Sequence, residues 1–408
     1  FKASQGSGMD WLGFGSGHRS LSAGMNGSLR AYPGYEGGSN PRLDVLGNGL
    51  NNDWTLRTKH PLSDLKLNMS YNHTWKRETG QTYGLLAALN YSNTYKTQLK
   101  MENSLYGPYD TSNDKPVALR NATDNQYSND VRFGAMLNLS FRPKGGRHYF
   151  EWKNIFNQIA KNRYAERTGF NAQPDNINDM EYYYSARTTY NTQLTGRHTF
   201  ADDRIDWNVG YAYANRNLPD RCLIERTDRT EQRMGIYRIS REFTRLDEHI
   251  VSAGSNYRKD FHFGTFEPTL KAGAYGEYRT RNYRTRQFQY GWQPDNTLPQ
   301  GFLFADDVQG SVLTDANYGP DKLYLYEEVN FLNNYEGDQT QLAGYLGINI
   351  PVGDLNIYAG ARYEYNRQVL RMNTRQFEES LQSTAYDNND IFPCLLYTSP
   401  SPRDVEES

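Results

Sequence analysis

Apolar and polar residues alternate with a period of two along much of this chain. The longest such run has apolar residues at every second position: Val131, Phe133, Ala135, Leu137, Leu139 and Phe141. Polar residues such as Arg132 and Asn138 fall between them. Because successive side chains of a strand point to opposite faces of a sheet, the run predicts a β-strand with one apolar and one polar face.

Six further segments repeat this alternation. They cover residues 65–71, 205–213, 251–257, 270–278, 342–350 and 355–365. The last two segments are predicted to form a hairpin closed by residues 352–354. The polar positions of the last segment include Asn356, Arg362, Glu364 and Asn366. Together with Arg132 and Asn138, these residues are predicted to face the watery lumen of a membrane β-barrel whose apolar faces meet lipid.

A soluble β-sandwich shows the same alternation, because one face packs on a core and the other meets solvent. In residues 81–106 and 237–261, however, the strand-like pattern continues throughout. Strands of soluble proteins are usually about 5–6 residues long. The apolar faces also mix large aliphatic residues with Ala and Gly, which lipid tolerates better than a close-packed core does. We therefore predict an all-β fold, a transmembrane antiparallel outer-membrane β-barrel.

The connections between the segments alternate between short and long. The short ones are residues 76–80, 143–146, 201–204, 262–265 and 352–354, and the long ones are 107–116, 168–178, 217–232 and 289–339. Outer-membrane barrels have short periplasmic turns and longer extracellular loops. Aromatic residues such as Trp75, Phe141 and Trp207 flank most of the short turns, as expected for an interfacial girdle.

Composition excludes two other classes of protein. The mean hydropathy of -0.87 is polar, and no stretch approaches the roughly 18 consecutive apolar residues that a membrane-spanning helix needs. The formal net charge of -2 provides no electrostatic basis for nucleic-acid binding. Aromatic residues make up 14% of the chain, with 33 Tyr, which exceeds the content of an ordinary soluble domain.

The sequence contains no arrangement typical of an active site or metal site. Cys222 and Cys394 lie far apart, and the seven histidines are scattered, so we expect no metal, no cofactor and no catalytic residue. An enzyme or adhesin site remains an alternative at residues 245–249, where carboxylates and a histidine cluster. Neighbouring residues of a strand alternate between faces, so these side chains cannot all converge.

We expect the chain to be a fragment. About eleven strands are predicted, and an open sheet of that size would expose unpaired edges to lipid. Residues 394–408 depart from the strand pattern and resemble translated sequencing-adapter sequence, so we expect them to be a non-native tail.

Several motifs resemble TonB-dependent receptors of Bacteroidetes outer membranes. Residues 8–14 (GMDWLGF) and 19–21 (RSL) resemble the end of the plug domain of that family. The likeness continues through residues 52–61, 88–93 (ALNYSN), 133–138 (FGAMLN), 154–158 (NIFNQ) and 390–393 (DIFP).

The resemblance implies that residues 1–50 are the C-terminal part of a plug and that 51–393 are part of a 22-stranded barrel. It also implies an active transporter that binds a large or scarce nutrient and imports it with energy from the TonB complex of the inner membrane. Outer-membrane lipid and a surface substrate-binding lipoprotein are the other implied partners. The alternative is a passive porin, in which the Gly-rich segment 4–49 has no place.

Two groups of residues are predicted to contact a ligand. Trp11 and Phe14 belong to the plug-like segment, and the long connection 289–339 contributes Tyr290, Trp292, Phe302, Phe304, Asp306, Asp307, Tyr324 and Tyr326. Loops of this length commonly act as lids or binding elements, and exposed rings stack on flat ligands. The alternative is that these rings pack the loop against its neighbours.

Overall fold

The computed structural model describes residues 1–4, 6–21, 25, 50–51, 54–61, 63–171, 175–230, 233–292, 297–319, 321–353 and 355–398. Most of the predicted plug-like segment beyond Leu21, and residues 399–408 of the predicted tail, lie outside this part of the chain. In the described residues, no helix combines the length and apolar character needed to cross a membrane.

Fourteen strands make up nearly all of the described secondary structure. Two short strands pair with each other as β1 (Lys2–Ser4) and β2 (Leu56–Thr58). The others form one sheet and are β3 (Leu65–Lys76), β4 (Thr82–Asp110), β5 (Lys115–Arg142), β6 (His148–Phe170), β7 (Asn176–Thr199), β8 (Asp203–Thr230), β9 (Arg233–Asp260), β10 (Thr269–Trp292), β11 (Leu323–Glu327), β12 (Tyr335–Val352), β13 (Leu355–Asn373) and β14 (Leu381–Thr398).

The sheet is antiparallel throughout, which confirms the predicted all-β fold. Along the main path from β3 to β14, each strand pairs with the next strand in the sequence, except that β10 pairs with β12. The short strand β11 pairs with β10 at residues Phe288–Trp292, the end of β10 that is farther from the short turns. We call that end of the strands the upper end. Eleven strands lie on this path, as the periodicity predicted. In the described residues, β3 and β14 each pair with a strand on one side only.

Three of the four predicted long loops are wrong. The strands continue almost to the hairpin tips, so that β4 to β5, β6 to β7 and β8 to β9 are joined by residues 111–114, 171–175 and 231–232. The pairing register shifts near Tyr106, Leu218 and Asp228. At these shifts the strands include residues that a regular strand would not accommodate. A bulge accommodates such a residue without ending the pairing, which is why turn-forming residue types misled the prediction.

The fourth predicted loop is long, and residues 293–334 connect β10 to β12. Its described part contains a helical turn (Gln300–Leu303), a π-helical turn (Val308–Val312), two 3-10 turns (Asp315–Asn317 and Phe331–Asn333) and β11. The Asp307 carboxylate accepts a hydrogen bond from Gly310 N at 2.9 Å and caps the π-helical turn. Two more 3-10 turns, Asp10–Leu12 and Gly17–Arg19, lie in the amino-terminal segment.

The pairing register places the apolar runs on one common face. Tyr91 of β4, Phe133 of β5 and Gln158 of β6 lie side by side, and the same alignment continues to β13. We call this face the apolar-run face. Arg132, Asn138, Asn356, Arg362, Glu364 and Asn366 all lie on the opposite face, which we call the polar face.

An aliphatic band crosses the apolar-run face near the short turns. It comprises Leu67, Leu89, Leu137, Leu194, Val209, Val251, Leu342 and Leu346, each at least 40% exposed. The band lies within about ten residues of the short turns, the length of a strand that crosses a bilayer at a tilt. Ile155 and Ile159 are exposed on the polar face, so the separation is not complete.

The predicted tail contributes to the sheet. Residues 394–398 extend β14 and pair with β13 from Gly360 to Asn356. Residues 394–398 thus pair as a strand although their sequence does not alternate. That residues 394–408 are a non-native tail stays a prediction.

Candidate functional site

The amino-terminal segment, residues 1–21, packs on the apolar-run face beyond the aliphatic band. Gln158 Nε2 donates to the Gly13 carbonyl at 2.6 Å, and the Gly15 amide donates to the Tyr184 hydroxyl at 2.9 Å. Gly13 has a φ of 82° and ends a 3-10 turn directly above Ala160. A side chain at Gly13 would be strained by this backbone conformation and crowded by Ala160.

An ion pair orders the segment from within. Arg19 Nη1 and Nη2 each lie 2.9 Å from an Asp10 carboxylate oxygen, and Ser7 donates to the same carboxylate at 2.8 Å. The Arg19 guanidinium also lies 4.1 Å from the centre of the Tyr184 ring. Burial by itself would raise the pKa of Asp10, but Arg19 and Ser7 outweigh it and hold the pKa below its usual range. Burial raises the pKa of Tyr184 to about 12.

A cavity of about 210 Å³ separates this segment from β4, β5 and β6. We call it the interface cavity. Its walls combine aromatic rings, amides and both signs of charge, from residues that include Phe1, Lys2, Asp10, Trp11, Lys59, Asn93, Tyr95, Tyr127, Asn129, Asn162 and Tyr164. Asn129 donates to Asn93 and Tyr164 donates to Glu166 at 2.6 Å. The remaining polar atoms offer hydrogen bonds to a polar molecule with flat apolar surfaces.

A second, larger cavity lies at the same level of the same face, between β8 and β13. It has a volume of about 800 Å³, and its lining includes Tyr211, Tyr213, Arg245, Asp247, His249, Asn282, Arg284, Glu336, Asp338 and Arg371. Its charges are paired, with 2.6 Å between Arg245 Nε and Asp247 and also between Arg371 Nη1 and Asp338.

The cluster at residues 245–249 therefore divides between the two faces, as strand alternation predicts. Arg245, Asp247 and His249 line this polar cavity, while Glu248 pairs with Arg281 on the other face. His249 Nδ1 lies 2.8 Å from the Tyr211 hydroxyl. Among the described residues, no group of three His, Cys, Asp or Glu side chains is placed to hold a metal ion.

The structure separates the two predicted ligand residues of the segment. Trp11 lines the interface cavity with its ring exposed, and its carbonyl accepts a hydrogen bond from Tyr91 at 2.7 Å. Phe14 stacks on Phe156, with 6.3 Å between the ring centres, and does not contribute to that cavity.

The predicted ligand residues of the long loop mostly pack against the upper strands. Trp292 and Phe302 lie 5.2 Å apart, and they and Tyr290 pack around a core that contains Cys222, Ile236 and Val312. Tyr324 is buried beside Phe243 and Phe288, and Tyr326 donates to Gln289 at 2.9 Å. Phe304 lies 4.4 Å from the Arg233 guanidinium.

The two predicted acidic ligand residues of the loop also have structural contacts. The backbone carbonyls of Ala305 and Asp306 accept hydrogen bonds from Arg226 Nη2, each at 2.9 Å, and Asp307 caps a turn. The loop rings thus hold the loop to β8, β9 and β10, which is the alternative that the sequence left open. Their role as ligand contacts stays a prediction.

If residues 1–50 fill the lumen as a plug, Arg19 is expected near polar lumen residues such as Arg362, Glu364 or Asn366. That expectation is wrong for Arg19, because the segment lies on the apolar-run face and these residues lie on the polar face. The nearby Asp10 supplies a closer partner for Arg19. The assignment of residues 1–50 to the end of a plug stays a prediction.

Sequence reasoning missed the most buried ion pair among the described residues. Arg241 and Asp220 are 1% and 9% exposed and form an ion pair. Burial raises the pKa of the neighbouring Cys222 and Tyr290. The available signal was Arg241, a charged residue at a position of β9 that belongs to the apolar-run face. Periodicity alone does not show which strand supplies the partner of Arg241.

Comparisons with known proteins identify no relative by sequence. No family model matches the chain, and no curated protein matches it. Among solved structures, the siderophore receptor PiuA from Acinetobacter baumannii superposes with a TM-score of 0.41 and 10% sequence identity, over 83% of this chain and 47% of that chain. This chain therefore spans about half the length of that receptor. A superposition at this score and identity does not identify a shared function.

Proposed function

We propose that this chain is part of an outer-membrane β-barrel receptor that binds a large or scarce nutrient at the cell surface and imports it. The observation that carries the proposal is the exposed aliphatic band on one face of a sheet whose other face is polar. Charged residues, among them Glu151, Lys153 and Arg197, occupy the polar face at the level of the band. Arg or Lys at the bilayer midplane costs roughly 2–4 kcal/mol, so lipid favours the aliphatic band.

Active import is proposed from the motifs that resemble TonB-dependent receptors. The outer membrane has no ATP and no ion gradient of its own, so energy for import must arrive through contact with an inner-membrane complex. A surface substrate-binding lipoprotein and outer-membrane lipid are proposed as further partners. The position of residues 1–21 gives the plug assignment no support, and the proposal does not depend on it.

The interface cavity is the proposed first contact for the nutrient. It lies beyond the aliphatic band, about a dozen or more residues from the short turns, at the level where a ligand arriving from outside the cell meets the chain. Its mixture of rings, amides and charges fits a polar ligand with flat apolar surfaces better than a lipid.

The test begins with the full-length receptor from the natural gene. Binding is measured over panels of glycans, peptides and metal chelates, and uptake of the tightest binder is then compared in cells with and without a functional TonB complex. We expect uptake to require TonB. Equal uptake in both strains contradicts active import and favours the passive porin.

The same ligand tests the interface cavity. Trp11→Ala should weaken binding about fivefold or more, since Trp is enriched among the interface residues whose truncation costs more than about 1 kcal/mol. Phe14→Ala is the matched control, because Phe14 is an exposed ring of the same segment outside the cavity. Equal effects of both substitutions contradict the assignment.

A further inference from the structure

The short-turn end of the apolar-run face carries a groove between the predicted girdle residues Trp75 and Phe141 and the aliphatic band. It has a volume of about 750 Å³ and is lined by Trp75, Tyr83, Leu139, Phe141, Phe150, Trp152 and Leu194, among others. We call it the turn-end groove. It runs across β3 to β7 between the first two short turns and the aliphatic band.

Aromatic rings form a continuous wall of this groove. Tyr83 stacks on Phe141 with 4.9 Å between the ring centres, and Phe141 stacks on Phe150 at 6.4 Å. Trp152 donates its indole N–H to Thr192 at 2.8 Å, so its only polar atom is satisfied and its ring faces the groove. Such a wall suits an extended aliphatic chain better than a polar solute.

Two cations, Arg77 and Lys144, lie at the turn end of the groove. The Arg77 guanidinium lies 5.4 Å from the centre of the Tyr83 ring, and Arg77 is a lining residue. The side chain of Lys144, from the second short turn, lies beside Gly80. In the described part of the chain, neither cation forms an ion pair with a carboxylate. Lys76 also lines the groove, but the register places its side chain on the polar face, with Arg142.

The carboxylates in this region do not cancel that charge. Glu78 is the acidic residue of the same turn and is exposed. Glu151 also lines the groove, but the register places its side chain on the polar face, where it pairs with Lys153 at 3.1 Å. The rim therefore has an excess of positive charge next to an apolar wall, which matches an amphiphile with an anionic head and an aliphatic tail.

We propose that the turn-end groove binds an anionic phospholipid of the periplasmic leaflet, with an acyl chain along the aromatic wall and the phosphate at Arg77 and Lys144. The leaflet follows from the position of the aliphatic band. The strands continue well beyond the band at the end that carries the long connection 293–334, and outer-membrane barrels place their longer connections outside the cell. This inference rests on the proposed membrane function, because only an inserted chain presents the groove to lipid.

The test uses quenching of tryptophan fluorescence by brominated acyl chains. The full-length receptor is reconstituted in vesicles that contain dibrominated phosphatidylglycerol or dibrominated phosphatidylcholine at matched concentrations, each diluted in unlabelled phosphatidylcholine. We expect quenching at a several-fold lower fraction of phosphatidylglycerol. Trp75→Phe combined with Trp152→Phe should remove this preferential component.

Arg77→Gln should reduce the preference for phosphatidylglycerol about fivefold, since one cation near a lipid surface contributes about 1 kcal/mol. Arg142→Gln is the matched control, because Arg142 lies at the same strand end on the polar face and over Tyr149. Equal quenching of the native receptor by both lipids overturns the site while leaving membrane insertion intact. Quenching by no lipid overturns the proposed membrane function itself.

Discussion

Arg241 and Asp220 form a buried ion pair that joins the upper strands to the rest of the molecule. Arg241 Nε lies 2.6 Å from Asp220 Oδ1, and Arg241 Nη2 donates to Asp220 Oδ2. The same guanidinium donates to the carbonyl of Asn51 at 2.6 Å and to the Tyr290 hydroxyl at 3.0 Å. One side chain of β9 therefore connects β8, β10 and the residues that follow the amino-terminal segment.

Asp220→Asn should destabilise the upper sheet by about 3–5 kcal/mol, because it leaves the buried Arg241 charge without its counter-charge. Asn suits the backbone at this position, where φ is 57°, so that the substitution isolates the loss of charge. The measurement is the thermal or denaturant midpoint of the full-length receptor in detergent. Glu378→Gln is the control, because the Arg375–Glu378 pair is exposed and should contribute less than about 1 kcal/mol. If both variants lose a similar amount of stability, burial does not increase the contribution of the Arg241–Asp220 pair.

The two faces of β5 should respond differently to a new charge. Leu137→Arg places a cation in the aliphatic band. It should impair barrel assembly, because Arg on the lipid face near the bilayer midplane destabilises a barrel by roughly 2–4 kcal/mol. Asn138→Arg places the same charge one residue further, on the polar face, and should be tolerated. The amount of full-length receptor in isolated outer membranes measures both. Equal amounts of the two variants show that the band does not contact lipid.

A disulfide should report the face on which the amino-terminal segment packs. An ideal Cβ at Gly13 lies 3.2 Å from Ala160 Cβ, a few tenths of an ångström inside the separation of about 3.5–4.5 Å in disulfides. A small backbone shift, which also relieves the crowding at Gly13, should therefore let Gly13→Cys with Ala160→Cys cross-link under mild oxidation, and mass spectrometry of proteolytic fragments detects the link. Cys394→Ser removes the exposed thiol.

Gly13→Cys with Ile159→Cys is the matched pair, because Ile159 lies next to Ala160 on the polar face. This pair should not cross-link. If it does so in preference to the first, the segment contacts the polar face, as a plug inside a barrel would.

Stability should depend on pH through Asp179. Burial, together with the negative charge of Glu225, raises the pKa of Asp179 to about 6, above the ordinary value of 3.8. The folded state therefore holds this proton to higher pH than the unfolded state, and the free energy of unfolding falls as pH rises from about 4 to 6. Asp179→Asn should reduce that slope and stabilise the protein at pH 7.

Denaturant midpoints measured at intervals between pH 4 and 7 check this expectation. Glu78→Gln, which removes an exposed carboxylate from a short turn, is the control for a general change in charge. A pH slope that is unchanged in Asp179→Asn indicates that another group is responsible.

The alternation of side chains determined which residues of each strand share a face. From Phe133 to Leu139 and again from Leu355 to Tyr365, the apolar positions predicted from the pattern lie on one face. Alternation is a local property of an extended backbone, so it needs no knowledge of the partner strand. The number of strands on the main path followed in the same way.

The ends of the strands could not be obtained from that pattern. Gly107 and Pro116 signal a loop by residue type, yet β4 and β5 continue through both. Bulges at Tyr106 allow the pairing to continue. Whether such a residue ends a strand or enters a bulge depends on the hydrogen bonds that the neighbouring strand offers.

Contacts between distant parts of the chain were decided by the tertiary structure alone. Trp292 and Phe302 belong to a loop whose aromatic content suggested ligand binding. In the structure, however, they pack against β8 and β9. Trp11 and Phe14 are three residues apart, and only packing on the sheet gives one a cavity and the other a stacking partner. A sequence specifies the chemistry of each side chain and its local direction, whereas its neighbours across the fold depend on register and on the free energy of burying one surface against another.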